Sequence, residues 1–202
     1  MFTVGITGGT GAGKTSALRA LESLGAFALD CDAIYHELLG NNLDLMTELG
    51  TRFDGVLRDG GIDRKRLGEI VFGDPTALDE LNVITHRHIS KEIARRLAEG
   101  ESRGFAIAAI DAIALIESGR AGKCDVVVGI IAPKETRVSR IMTRDGITRE
   151  QAEKRIAAQK PDSFYIDNCD HILKGTYATP EEFEKHCKEF FSKMLGGQIN
   201  AG

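Results

Sequence analysis

The segment Phe2 to Thr15, FTVGITGGTGAGKT, constrains this chain more than any other, because a short β-favouring run gives way to a Gly-rich turn that ends in Lys-Thr. Gly8-Gly9-Thr10-Gly11-Ala12-Gly13-Lys14-Thr15 fits the phosphate-loop pattern G-x-x-x-x-G-K-[ST]. Ser16 then opens a run in which Leu18, Leu21 and Leu24 fall at helical spacing, and Gly25 stops it. Strand, turn and helix in that order are the context the motif requires, which sets aside a chance Gly-rich turn. Glycines let the backbone turn its N–H groups inward on an anion, and the helix N-terminus adds its positive end. Lys14 is suited to neutralise the β and γ phosphates, and the Thr15 hydroxyl to hold Mg2+. The phosphates of a nucleotide and Mg2+ are therefore the expected occupants of this loop, whatever base the nucleotide carries.

The rest of the chain extends this unit into an α/β fold. Nearly continuous apolar runs at Ala26 to Asp30, Phe105 to Asp111, Asp125 to Ala132 and His171 to Lys174 predict four more strands buried on both faces. Helical segments between them predict βαβ units, hence a five-stranded parallel sheet with helices on both faces. About seventy residues between the second and third strands hold no convincing strand, far beyond an ordinary crossover, and predict an inserted helical subdomain. Asp63 can cap RKRLGEIVF, Asp74-Pro75 opens a further helix, and Gly40 and Gly73 are the expected stops. Thr148-Arg-Glu-Gln151 is a capping box for a helix reaching Gln159. Thr179-Pro-Glu-Glu182 opens a C-terminal helix with Phe183, Cys187, Phe190 and Met194 as its apolar stripe, and the tail GGQINAG is expected to fray. A length of 202 residues with 42% hydrophobic content suits one domain.

Composition excludes several classes of function. With 26 basic against 30 acidic residues the net charge is −4, which gives no positive field for a nucleic-acid backbone. Cys31, Cys124, Cys169 and Cys187 form no CxxC pair, so free thiols in a reducing cytosol are expected rather than a zinc site. The N-terminus lacks the basic and apolar regions of a signal peptide, and the most apolar stretch, Phe105 to Ile116, is interrupted by Asp111 and too short for a bilayer. The expectation is a cytoplasmic protein with no membrane association and no obligate protein partner.

Four further groups of residues can carry chemistry. Asp30 and Asp32 close the second strand, at the edge where an open parallel sheet places its ligand crevice. Asp32 there can take a proton from an acceptor hydroxyl, yet it also precedes AIYHELL and reads equally as a helix N-cap. Asp111 ends FAIAAID as a carboxylate able to reach Mg2+ through water, or simply as the end of a strand. Arg137, Arg140 and Arg144 recur at i, i+3 and i+7, forming either an anion clamp or a solvated helix face. His86 and His88, two positions apart, point from different helix faces and cannot readily share a metal. His36, His171 and His186 are scattered, as ordinary polar residues are.

Taken together, these motifs resemble the dephospho-coenzyme A kinase family from Val4 to about Gly175. Thr7 to Thr15 matches its TGG-x-G-x-GK[ST], and Asp30-Cys31-Asp32 followed by Ala33-Ile34-Tyr35-His36 matches its D-A-D segment with one change. Arg52-Phe53, the stretch Asp59-Gly-Gly-Ile-Asp63-Arg64, Leu67, Val71-Phe72, Leu81-Asn82 and His86 are similar to its substrate-binding helical region. Asp111 to Glu117 resembles D-x-P-L-L-x-E, and Arg137 to Gln159, with RDGIT inside, resembles the lid. The resemblance implies a three-layer P-loop kinase fold in a single domain of residues 1–202. Its core would be 1–35, 104–136 and 160–202, with a coenzyme A insert at about 36–103 and a lid at about 137–159. It implies phosphorylation of the ribose 3′-hydroxyl of dephospho-coenzyme A by ATP. Lys14, Asp32 and Arg140 would be catalytic, and Arg144 and Gly175 would join Gly8 to Ser16 around ATP. His36, Arg64, His86, Asp111 and Glu117 would line the substrate with Asp32, and Thr15 would hold Mg2+, with Asp111 reaching it through water.

The chain also departs from the family pattern. Ile113 and Ala114 replace Pro and Leu, Arg87 follows His86 where Pro is usual, and Leu173-Lys174-Gly175 keeps only the glycine of an Asn-Gly pair that contacts adenine. Two alternatives remain at this point, another small-molecule or nucleoside kinase and a nucleotide-binding switch. No NKxD guanine-reading motif accompanies the phosphate loop.

Overall fold

The computed structural model describes residues 1–58 and 60–199; Asp59 and Asn200 to Gly202 lie outside the described residues. Backbone contacts group the chain into two compact units, Met1–Leu29 with Gly100–Gly202, and Asp30–Glu99. The chain begins with β1 (Phe2–Gly8), α1 (Lys14–Ser23) and β2 (Phe27–Asp30). Next come α2 (Cys31–Asn41), α3 (Leu43–Arg52), β3 (Leu57–Arg58), β4 (Gly61–Ile62), α4 (Arg64–Phe72) and α5 (Pro75–Ser102). After β5 (Ile107–Asp111) and β6 (Val126–Ile131) follow α6 (Lys134–Asp145), α7 (Arg149–Ala157), α8 (Asp162–Asn168), β7 (His171–Lys174) and α9 (Pro180–Ile199).

The five-stranded sheet runs in the order β2-β5-β1-β6-β7. β1 lies at its centre, pairing in parallel with β5 (Val4 opposite Ala109, Ile6 opposite Asp111) and with β6 (Val4 opposite Val126, Gly8 opposite Ile130). Side chains alternate along each strand, and both faces are covered. Val4, Ile6, Ile107, Ala109, Val128, Ile130 and Leu173 share a core with Leu21, Phe183 and Phe191 of α1 and α9. On the opposite face a Cβ at Gly5 would meet Leu115 and Cys124, and one at Gly129 would meet Ile172 and Cys169. The sheet thus sits between two layers, as an α/β fold with continuous apolar strands demands.

Helix starts follow the capping chemistry. Asp63 accepts from Arg66 N (3.0 Å), Asp74 from Thr76 N (2.9 Å) and Ala77 N (3.2 Å), and both halves of the Thr148–Gln151 capping box are present. Gly73 caps the end of α4, whereas Gly40, expected as a stop, lies inside α2. The break comes at Asn42, whose extended backbone ends α2 and whose Oδ1 accepts from Leu45 N (2.8 Å) to open α3. The segment expected to be purely helical also contains the antiparallel hairpin β3–β4, with Leu57 opposite Ile62 and Arg58 opposite Gly61. Two-residue strands show too little alternation to register as a pattern, although the intervening Asp59-Gly60 is a turn-forming pair. α9 continues through Gly196 to Ile199, where the sequence predicts fraying. Its buried stripe is Phe183, Cys187, Phe191 and Leu195, with Phe190 and Met194 only partly covered. No helix among the described residues is long and apolar enough to cross a membrane.

Candidate active site

β1 delivers the chain into the loop Gly9 to Gly13, and α1 begins at Lys14. Gly13 is the N-cap of α1 at φ 117°, a backbone conformation that a Cβ disfavours, and a Cβ there would also lie 2.8 Å from the Phe183 ring. The first turn of α1 therefore starts at the loop without a side chain in the way, with Ser16 N donating to Gly13 O (3.1 Å), and its positive end favours an anion. Lys14 and Thr15 are its first two residues, the Thr15 side chain exposed and Ser16 buried behind it.

The loop is held from outside by α6 and by the chain beyond β7. Arg140 Nη1 donates to the carbonyls of Gly11 and Ala12 (both 3.3 Å), and its Nη2 donates to Tyr177 O (3.2 Å). Burial lowers the Arg140 pKa from its usual value, but a guanidinium stays charged across the working range. Gly175 donates to Ile131 O (2.8 Å) and passes so close to the loop that a Cβ would lie 2.2 Å from Ala12 O. Tyr177 stacks on Phe183 (centroids 5.6 Å apart) and on His186 (5.0 Å), which anchors this segment to α9. Arg144 pairs with Asp145 (2.7 and 3.0 Å) and comes within 3.5 Å of Thr10 Oγ1. The Arg144 hydrogen bond holds the Asp145 carboxyl below its usual pKa.

Arg137 behaves differently from its two neighbours. It is 5% exposed, and its Nε donates to Thr10 O (2.9 Å) while its Nη2 donates to Gln159 Oε1 (2.7 Å). The i, i+3, i+7 spacing thus brings three arginines to the phosphate loop, each with a different set of contacts. Gln159, which the sequence marks only as the end of a helix, also accepts from Thr10 N (2.9 Å). A cleft of about 340 Å³ lies beside it, lined by Ile113, Glu117, Ala158, Gln159, Lys160 and Tyr165. Glu117 is exposed there, and burial, aided by Glu117, pushes the Tyr165 phenol up to about 12.

Asp111 is buried at the end of β5, opposite Ile6 in the ladder and so one strand away from the start of the loop. The unit Asp30–Glu99 carries the remaining candidates. Asp30, not Asp32, is the N-cap of α2: its Oδ1 accepts from Asp32 N (2.9 Å) and Ala33 N (3.0 Å). Asp32 lies in the first turn of α2 with its carboxylate exposed. Arg64 Nη2 donates to His36 O (3.4 Å), so two of the expected substrate residues are neighbours. Tyr35, which the sequence marks only as part of the segment following Asp32 and not as a site residue, lies close enough to Arg64 to feel its charge; burial raises its pKa and the Arg64 charge opposes that rise. His86 is half-buried on α5, while Arg87 and His88 both pair with Glu48, His88 at 2.9 Å.

A Gly-rich loop between the central strand of a parallel sheet and a helix, with arginines closing on it, defines a P-loop kinase-like α/β protein. A shikimate kinase structure from Acinetobacter baumannii shares this fold at a TM-score of 0.54 and 14% identity, over 98% of this chain and 96% of that one. The Dephospho-CoA kinase family model matches residues 2–180, and the chain belongs to that family. A dephospho-CoA kinase of Geobacter sulfurreducens is 37% identical over 197 residues, covering 96% of this chain and all of that relative. The structure of dephospho-CoA kinase from Campylobacter jejuni superimposes with a TM-score of 0.70 at 28% identity, over 97% of this chain and 98% of that one.

Proposed function

We propose that this chain transfers the γ-phosphate of ATP to the ribose 3′-hydroxyl of dephospho-coenzyme A, releasing coenzyme A and ADP as the last step of coenzyme A synthesis. Family membership over residues 2–180 carries the reading. Support comes from the loop itself, on which Arg140, Arg144 and Gly175 converge. The acceptor oxygen forms a bond to the γ-phosphorus as the bond to the β,γ-bridging oxygen breaks, and the hydroxyl proton passes to Asp32. Lys14 and Arg140 stabilise charge on the transferred group, and Arg144 exchanges Asp145 for phosphate.

Thr15 and Asp111 fit Mg2+, since a hydroxyl at the start of α1 and a carboxylate one strand from the loop are a hard oxygen pair. Bound with the phosphates, the ion would neutralise their charge; such a site takes one or two protein oxygens plus phosphate and water, so it requires no cage of carboxylates. His36, Arg64, His86 and Glu117 are assigned to the acceptor, residues 137–159 to the lid and about 36–103 to the acceptor insert. A cytoplasmic location accords with this substrate.

The test is ADP release with ATP, Mg2+ and dephospho-coenzyme A, with the product identified by mass. Wild type is expected to form coenzyme A, and Lys14→Ala to form essentially none. ADP release with a different alcohol but not with dephospho-coenzyme A would assign the fold to another small-molecule kinase.

A further inference from the structure

We infer that Gln159 and Arg137 form a latch that sets the Thr10 peptide of the phosphate loop, making both positioning residues for phosphoryl transfer rather than ligands of phosphate. The inference rests on the reading of Gly8 to Thr15 as the ATP phosphate site. Gln159 Oε1 accepts from Thr10 N (2.9 Å) and from Arg137 Nη2 (2.7 Å), while Arg137 Nε donates to Thr10 O (2.9 Å). Both backbone polar groups of Thr10 are thereby taken up by two side chains that also bond each other. Its N–H is spent on Gln159 and is not free for phosphate.

The surroundings are built for this contact. Gly9 leaves the space that the guanidinium fills, since a Cβ there would lie 2.3 Å from Arg137 Nη2. Arg137 is buried, with Asp162 as a carboxylate 3.8 Å from Nη1, so its charge faces protein acceptors. Burial of a guanidinium is costly, and hydrogen bonds to the Thr10 carbonyl and Gln159 offset that cost. Arg137 lies on α6 and Gln159 two residues past α7, and Val138, Ile141 and Ala152 pack those helices into one small core. The two jaws therefore sit on one packed unit.

Peptide planarity turns this grip into function. In a trans peptide the C=O of one residue and the N–H of the next point to opposite sides, and the structure has no cis bonds among its described residues. With the Thr10 carbonyl held by Arg137 and that of Ala12 by Arg140, the Gly11 and Gly13 N–H groups are turned away from α6. Loss of Gln159 leaves a Thr10 N–H and an Arg137 N–H without this acceptor and lets that shoulder of the loop rotate. A phosphate-clamp role for Arg137 makes a different prediction, because Gln159 would then be dispensable.

Gln159→Leu and Gln159→Glu separate these cases when ADP affinity, steady-state kinetics and thermal melting are measured together. Gln159→Leu is expected to melt cooperatively, bind ADP about tenfold more weakly, and lose roughly 10- to 100-fold in kcat, with KM for the acceptor little changed. Gln159→Glu keeps an oxygen for both donors and should recover most of both losses. Equal loss in the two variants, or ADP affinity and kcat in Gln159→Leu within about twofold of wild type, overturns the latch. Should Gln159→Leu fail to fold, Arg137→Lys decides, since one ammonium cannot replace the planar fork and a wild-type result with it refutes the proposal. A wild type that binds ADP yet forms no coenzyme A contradicts the proposed reaction, while the ADP affinities of the variants still judge the latch.

Discussion

Asp30 ends β2 and caps α2, while Asp32, the base proposed above, lies in the first turn of α2. A carboxylate oxygen that caps a helix is committed to backbone N–H groups, which compete with a proton it would accept. Asp30 takes the cap, accepting from Asp32 N (2.9 Å) and Ala33 N (3.0 Å), and so leaves the Asp32 carboxylate exposed. Asp30→Ala should therefore destabilise the protein by about 1 kcal/mol. Asp32→Asn removes only a favourable charge from the first turn, worth about 0.3–1 kcal/mol, yet should lower kcat by at least roughly 100-fold with ADP binding unchanged. Denaturant unfolding and turnover of the two variants check the division, and full turnover in Asp32→Asn removes that residue as the base. The sequence left Asp32 between base and cap because an Asp30 cap and an Asp32 cap place the start of α2 only two residues apart, and hydrophobic periodicity does not resolve a boundary that finely.

Elements with strong local chemistry were legible, and those decided by tertiary packing were not. Capping boxes at Thr148 and Thr179 can be read directly, because a hydroxyl and a carboxylate or amide three residues apart satisfy each other's backbone; Thr179 accepts from Glu182 N at 3.2 Å. The stripe of α9 is the contrary case, since 183, 187, 190, 194 and 183, 187, 191, 195 both satisfy helical spacing. Only tertiary packing decides between them, covering Phe191 fully and Phe190 in part. Phe191→Ala is expected to cost about 3–5 kcal/mol and Phe190→Ala clearly less, and equal losses in urea melts would restore the other stripe. On α5, hydrogen bonding to Arg95, with help from Arg96 and against the effect of burial, lowers Glu92 from 4.5 to about 2. A carboxylate with a depressed folded pKa stabilises fully above its unfolded value and loses that contribution as pH falls through the folded one. Wild type should therefore melt slightly above Glu92→Gln at neutral pH, with the gap closing between pH 4.5 and about 2. A gap that persists unchanged at acid pH contradicts the pairing.

Across the whole molecule, legibility follows how local the signal is. The phosphate loop, the five strands and the α/β class are written in contiguous residues, while the contacts that complete the loop come from Arg137, Arg140, Gln159 and Gly175, more than a hundred positions away. An arginine spacing of i, i+3, i+7 marks a face but not what that face touches, and a glutamine at a helix end carries no mark at all. Because these distant elements converge on Gly9 to Gly13, nucleotide binding should stabilise the fold as a whole. A ligand that binds only the folded state at one hundred times its Kd adds about 2.7 kcal/mol, which for a chain of this size corresponds to roughly 5 to 11 °C in Tm. Lys14→Ala removes the charge proposed to compensate the phosphates. A hundredfold weaker Kd at the same ADP concentration leaves about 0.4 kcal/mol, a shift of roughly 1 to 2 °C. Thermal melts of wild type and Lys14→Ala, each with and without ADP, measure this difference directly. The same large shift in both would place the nucleotide somewhere other than the loop, whereas a shift confined to wild type ties the stability of the molecule to the site its first fifteen residues encode.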